Sequence, residues 1–275
     1  MQLYDKLTGL YNYDGFLTNV KYALEEGGRK EYVLIRFDIK NFKLINDNLG
    51  LDAGDRLLCR VADSLRKKAL PESIECRIDG DRFAVFIPAE YKDEMVNMLL
   101  KTPLYADHND NYPIYIYMGI YNITDKSVPV SVMSDRANIA LSTIKSNRYM
   151  RVATYEESMY KAILRECELS NELEEALDHN DIIIYLQPQV TKDENVSGAE
   201  ALVRWNHPEK GMLNPGEFIP VFEKNYKIVE VDKRVWELAC RQIKQWNDEG
   251  LKNVYISINI SPHDCECIDV YETIT

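Results

Sequence analysis

The 275 residues predict an α+β domain of ferredoxin-like layout, followed by the beginning of an α/β barrel. Three observations carry this. Strand and helix patterns alternate through residues 1–155, and one pair of strands is placed as a hairpin around Asp79-Gly80. An amphipathic stretch over 156–178 then separates the two halves. Beyond it, short strands alternate with helices, as at the start of a (β/α)8 barrel, yet 179–275 falls short of the roughly 250 residues such a barrel needs. The expected organisation is therefore 1–155, a connector helix at 156–178, and a cut-off second domain at 179–275.

The first apolar run, YVLIRFD at 32–38, is β-branched and aromatic and ends on an acid, which predicts a buried strand. From Ala53 onward, Leu57, Leu58, Val61, Ala62, Leu65 and Ala69 recur at helical spacing. The segment 74–88 reads as two strands with Asp79-Gly80 as the central pair of the turn, since Asp-Gly tolerates positive φ at both places. A helix at 92–101, a strand at 113–121, a helix at 131–146 and a strand at 150–155 complete the first domain.

In the connector, Met159, Ile163, Leu169, Leu173 and Leu177 form one stripe, and Glu157, Glu168, Glu172 and Glu175 form an opposite, solvated face. The stripe suits docking on a domain or pairing with a second copy, so a homodimer is one expected arrangement. Strands at 181–187 and 196–205, helices at 215–224 and 229–248, and a strand at 253–261 follow.

Hydrophobic residues make up 45% and charged residues 28%, which excludes global disorder. The net charge of −12 argues against broad binding to double-stranded nucleic acid, which needs a positive field to displace counterions. The six cysteines form no C-x-x-C pair and read as reduced thiols. No cationic and apolar leader and no apolar run of 18 residues is present, so a cytoplasmic chain without a membrane segment is expected.

Chemistry in the first half gathers in FDIKNFKLIND…GD at 37–55 and RIDGDRF at 77–83. Asp38 at a strand end and Asp81 at a turn are placed to converge on a hard cation, which takes oxygen ligands. Lys43 offers a cation to phosphate, and Asn46 with Asp55 offers the hydrogen-bonding edges a purine would meet. Taken singly, each has a structural explanation too: a turn cap, a surface charge, a loop residue. Together with the opening DKLTGLYN at 5–12, however, these motifs resemble the GGDEF, or diguanylate cyclase, family in order and spacing. The resemblance implies a nucleotide-cyclase palm that uses GTP, with metal held by Asp38, the Ile39 carbonyl and Asp81. It implies phosphate contact by Lys43 and guanine contact by Asn46 and Asp55.

The sequence departs from that family where it matters. The signature turn reads Asp79-Gly80-Asp81-Arg82-Phe83, so Arg82 stands in place of an acid and Asp79 in place of a glycine. Lys40 and Leu51 replace an acid and a histidine, and LPES at 70–73 lacks the family's Arg-x-x-Asp inhibition motif. A charge reversal at a metal site defeats phosphoryl transfer, so cyclase activity is expected to be lost. Arg82 is expected to face phosphate instead.

In the second half, strand alternation puts Glu200, Leu202 and Arg204 on one face, with Ala199, Ala201, Val203 and Trp205 on the other. Glu200 and Arg204 are then roughly 13 Å apart, suited to a metal ligand and a phosphate-binding cation on one extended ligand. A surface ion pair explains the same two residues. The strings IIIYLQPQV, EALVRWNHP, FIPVFE and VYISINIS closely resemble the EAL family of cyclic di-GMP phosphodiesterases. That resemblance implies Mg2+ or Mn2+ at Glu200 and Asn259, phosphate at Arg204, and Gln187 in the same pocket. His207 reads as a turn residue, and no zinc site forms around His263. The resemblance implies a cyclic di-GMP phosphodiesterase in full length, regulated by a cyclase-like domain that is inactive. This chain is expected to be inactive as a phosphodiesterase because its barrel is incomplete. The competing class is a non-catalytic guanine-nucleotide or protein-binding module.

Overall fold

The computed structural model describes residues 3–68, 70–101, 114–145, 147 and 149–274. The chain divides into two compact units, Met1–Lys161 and Ala162–Thr275.

In the first unit the elements run α1 (Tyr13–Glu26), β1 (Tyr32–Ile39), α2 (Phe42–Leu49), α3 (Leu51–Lys68), β2 (Ile74–Asp79), β3 (Arg82–Pro88), α4 (Lys92–Lys101), β4 (Ile116–Ile123), α5 (Val130–Ile144) and β5 (Val152–Thr154). Their strands form one sheet in the order β2-β3-β1-β4-β5. It is antiparallel except where β4 meets β5. All eight residues of β1 are buried, because it lies at the centre with helices on both faces.

One face packs Val33, Ile35, Phe37 and Ile39 against Leu57, Leu58, Val61 and Leu65 of α3 and Met95 and Leu99 of α4. The other packs Tyr32 and Leu34 against Phe16, Val20 and Leu24 of α1 and Met133 and Ala137 of α5. Each large side chain buried this way contributes on the order of 1.5–3 kcal/mol. Arg36 is buried on this second face, where it donates to Ser134 Oγ at 3.3 Å, and burial holds its guanidinium below its usual pKa.

Helices α1 and α2 are absent from the sequence prediction. For α1 the signals were present: Asn12 Oδ1 accepts from Gly15 N at 2.9 Å as an N-cap, and Phe16, Val20 and Leu24 recur every four residues. The hairpin is also shifted by one residue. Its central pair is Gly80-Asp81, not Asp79-Gly80, since Asp79 pairs with Arg82 across it and only Gly80 has positive φ. The predicted strand start at 113 and helix end at 146 lie outside the described residues.

Helix α6 (Glu157–Asp178) begins in the first unit, where Met159 packs beside Tyr117 and Leu141. Its later turns belong to the second unit, which continues with β6 (Ile182–Val190), β7 (Val196–His207), β8 (Gly211–Leu213), α7 (Pro215–Lys224), α8 (Ile228–Asp248), β9 (Tyr255–Ser257), α9 (Pro262–Cys267) and α10 (Val270–Ile274). Strand β7 is the spine. Along one edge it pairs antiparallel with β6, and along the other it meets β8 at Trp205–His207 and β9, in parallel, at Gly198–Glu200. Among the described residues no pairing closes this sheet into a barrel.

Leu169, Leu173 and Ala176 of α6 pack with Ile182, Trp205, Phe218 and Phe222 into one core. Ala201 packs with Val235, Trp236 and Ala239 into another. The predicted strand 253–261 is corrected to three residues, so Asn259 lies beyond the strand, where its carbonyl accepts from Trp236 Nε1 at 3.1 Å. The acidic face of α6 is not wholly solvated either, because Glu172 meets Lys210 Nζ at 2.7 Å and His207 Nε2 at 3.1 Å. His207 Nδ1 accepts from the backbone of Glu209 and Lys210, which confirms a turn role. No described helix is long and apolar enough to cross a membrane.

Candidate functional site

In the first unit, the sheet register carries Asp38 to the end of β1, opposite Tyr117 and beside the β2–β3 turn. The turn swings Asp81 inward so that its Oδ2 accepts from Ile39 N at 3.1 Å. Burial, together with the neighbouring Asp38 charge, pushes the Asp81 carboxyl above the ordinary range. Asp38 Oδ2 lies 2.5 Å from Lys145 Nζ, just past the end of α5. Lys145 is the site residue that sequence reasoning missed, because its approach depends on how α5 packs over the sheet.

Arg82 does not point toward open space for a phosphate. It forks onto Asp79 through Nε and Nη2, so the two residues that depart from the family signature satisfy each other. Asp79, with the charges of Asp81 and Asp38, holds the Arg82 guanidinium above its usual pKa. The opening motif braces the same turn. Asp5 accepts from Thr8 N and Oγ1 at 2.8 and 2.6 Å and from Arg77 Nη1 at 3.2 Å. Arg77 Nε in turn donates to Gly80 O at 2.9 Å. Burial works against the Asp5 charge, but Thr8 and Arg77 outweigh it and hold the carboxyl below its ordinary value.

Lys43 is exposed on α2, and Asp55 is exposed on α3. Asn46 is packed closely against α3: a Cβ on Gly54 would stand 1.9 Å from Asn46 Oδ1, so any larger residue there would force the Asn46 side chain to move. That Oδ1 is buried and has no hydrogen-bond partner. Asp55, one residue from Gly54, lines an open groove of about 460 Å³ with Arg56 and Cys59.

In the second unit, Glu200 sits at the middle of β7 in register with Gln187 on β6 and Ser257 on β9. Asn259 Nδ2 donates to Glu200 Oε1 at 3.3 Å. Next to them, Gln189 Nε2 donates to Ser257 Oγ at 3.2 Å. Arg204 stacks over the Tyr185 ring at 5.2 Å and donates to Val203 O at 2.8 Å. Gln187, Glu200 and Asn259 thus share one side of the sheet, with Arg204 further along the same strand. Glu200 and Asn259 are oxygen donors of the kind a hard divalent ion takes, so this pair fits part of a metal site. In the first unit the donors do not fit, since the Asp38 carboxylate is already paired with the Lys145 ammonium. Among the described residues no group of three or more His, Cys, Asp or Glu side chains is arranged to hold a metal.

Comparison with known proteins decides the family. The model of the diguanylate cyclase, GGDEF domain matches residues 2–151, and that of the EAL domain matches 170–274. The chain belongs to the GGDEF family and continues into an EAL domain. Over 271 residues the chain is 27% identical to the bifunctional diguanylate cyclase/cyclic di-GMP phosphodiesterase MucR of Pseudomonas aeruginosa, covering 95% of this chain and 39% of that protein. It is 26% identical over 263 residues to the cyclic di-GMP phosphodiesterase PdeR of Escherichia coli, covering 94% and 40%. The chain thus spans about two fifths of the length of these curated relatives.

Among solved structures, the GGDEF domain of TpbB from Pseudomonas aeruginosa matches with a TM-score of 0.52 at 22% identity, over 58% of this chain and 99% of that one. The S helix-GGDEF-EAL structure of LapD from Vibrio cholerae, bound to c-di-GMP, matches with a TM-score of 0.53 at 15% identity, over 97% and 63%. At these identities the likeness concerns the fold of each GGDEF and EAL unit.

Proposed function

We propose that this chain is part of a cyclic di-GMP signalling protein, in which an inactive GGDEF unit regulates an EAL unit that hydrolyses cyclic di-GMP to pGpG once its barrel is complete. On this reading residues 1–155 are a ferredoxin-like cyclase palm, 156–178 a connector helix, and 179–275 the first part of a TIM-like barrel. The single observation that carries the reading is the meeting of Asn259 with Glu200 beside Gln187, which assembles three separated EAL motifs on one side of β7.

Each residue then has a chemical task. Glu200 and Asn259 hold Mg2+ or Mn2+, which when bound supplies an activated water for opening one phosphodiester bond. Arg204, stacked over the Tyr185 ring, takes a phosphate of the dinucleotide. Gln187 orients the ligand from the adjacent strand. In the GGDEF unit, Lys43, Asn46 and Asp55 retain contacts for GTP, while Arg82 removes the acid that cyclisation needs. Support for lost cyclase chemistry comes from the Arg82–Asp79 fork, which commits the substituted residue to a protein partner.

The deciding experiment measures pGpG formed from cyclic di-GMP by the 275-residue chain, by a form extended through a complete EAL domain, and by that form with Glu200→Ala. Turnover by the extended form alone, lost in the variant, is expected. Absence of turnover with both Mg2+ and Mn2+ hands the EAL unit to ligand binding without catalysis.

A further inference from the structure

The family resemblance implies a divalent ion among Asp38, the Ile39 carbonyl and Asp81, and the side chains gathered there carry an alternative. The Asp38 side chain is 10% exposed, so few directions of approach remain, and Lys145 Nζ takes one of them at 2.5 Å. The adjoining carboxylate, Asp81, already accepts from the Ile39 amide at 3.1 Å. Arg82 follows Asp81 in the chain and is anchored on Asp79, which adds a second cation to the same turn.

A Mg2+ ion demands near-octahedral oxygen ligation. To enter here it must displace Lys145 from a carboxylate that water reaches poorly, and then remain close to a lysine and a guanidinium of its own sign. We infer that Lys145 is the resident cation of this site, with the Arg82 charge carried by the adjoining turn, and that the GGDEF unit binds no Mg2+ or Mn2+ at Asp38 and Asp81. This deepens the reading of the GGDEF unit as a non-cyclase and does not depend on the chemistry of the EAL unit. A phosphate-bearing ligand reaching Asp38 would meet Lys145 rather than a metal.

The test uses Mn2+ alone, counted as free ion by electron paramagnetic resonance, with the 275-residue chain carrying Glu200→Gln so that the EAL unit does not compete. Expected is no uptake by this chain. Adding Lys145→Met and Arg82→Glu should raise uptake from none to one ion per chain, and Asp38→Asn should remove it again. Circular dichroism of each variant checks that the fold is kept. Mn2+ uptake by the Glu200→Gln chain that disappears with Asp38→Asn overturns the inference. So does a folded Lys145→Met, Arg82→Glu chain that takes up none. Neither outcome depends on pGpG production, so failure of the phosphodiesterase reading leaves this test intact.

Discussion

Asn259 donates its side-chain amide to Glu200 at 3.3 Å across a sequence separation of 59 residues. Two elements set up the contact. Parallel pairing of β9 with β7 brings Ser257 level with Glu200, and Trp236 on α8 fixes the Asn259 carbonyl just past the strand end. In an EAL-complete form, Glu200→Ala and Asn259→Ala should each lower pGpG production by more than about 100-fold, beyond the range typical of residues that only support a metal ligand. Arg204→Ala should instead act chiefly through KM. Steady-state kinetics on the three variants separates these roles, and equal effects on KM at all three positions would contradict them.

The GGDEF unit should make no cyclic di-GMP from GTP with either Mg2+ or Mn2+. Chromatography of the reaction mixture reads the product directly. Formation above a boiled control, abolished by Asp38→Ala, would show that the Arg82 substitution is tolerated.

GTP should still bind this unit weakly. Lys43 and Asp55 remain exposed, and Asn46 packs at Gly54 beside Asp55. Calorimetric titration should show heat at millimolar GTP, and Asn46→Leu should weaken binding by about fivefold or more, since a hydrogen bond to ligand contributes about 1 kcal/mol or more. No heat with the unmodified chain would make this unit a scaffold only.

Asp232 on α8 should make the second unit less stable as pH rises. Burial, then the Asp264 carboxylate and Glu223, pushes Asp232 from 3.8 up to about 8. The two carboxylates lie near each other between α8 and α9, where Asp264 is fully buried and accepts from Ser261 N at 2.7 Å. An acid whose pKa is raised by folding binds its proton more tightly in the folded state. Its contribution is therefore complete below 3.8 and is lost as pH rises through about 8. Urea midpoints between pH 5 and pH 8.5 should fall for the unmodified chain and fall much less for Asp232→Asn, which keeps a donor toward Asp264. Parallel slopes in the two proteins would assign the pH dependence elsewhere.

Much of this molecule follows from local sequence. The strand at 32–38, the helix from Ala53 and most of the later strands and helices are periodic patterns, because a buried face repeats every two residues in a strand and about every 3.6 in a helix. The short helix at Phe42–Leu49 has a single buried residue, Ile45, so no stripe marks it. Motif spacing also placed Asp38 at a strand end, Asp81 at a turn and Glu200 within a strand. What spacing cannot encode is which side chain meets which across the sheet. Packing of α5 brought Lys145 to Asp38, and the one-residue shift of the hairpin faced Asp79 with Arg82. Burial against α9 raised Asp232. These outcomes depend on distances of a few ångströms between segments far apart in the chain, over which charge interactions and desolvation change steeply, so tertiary packing alone decides them.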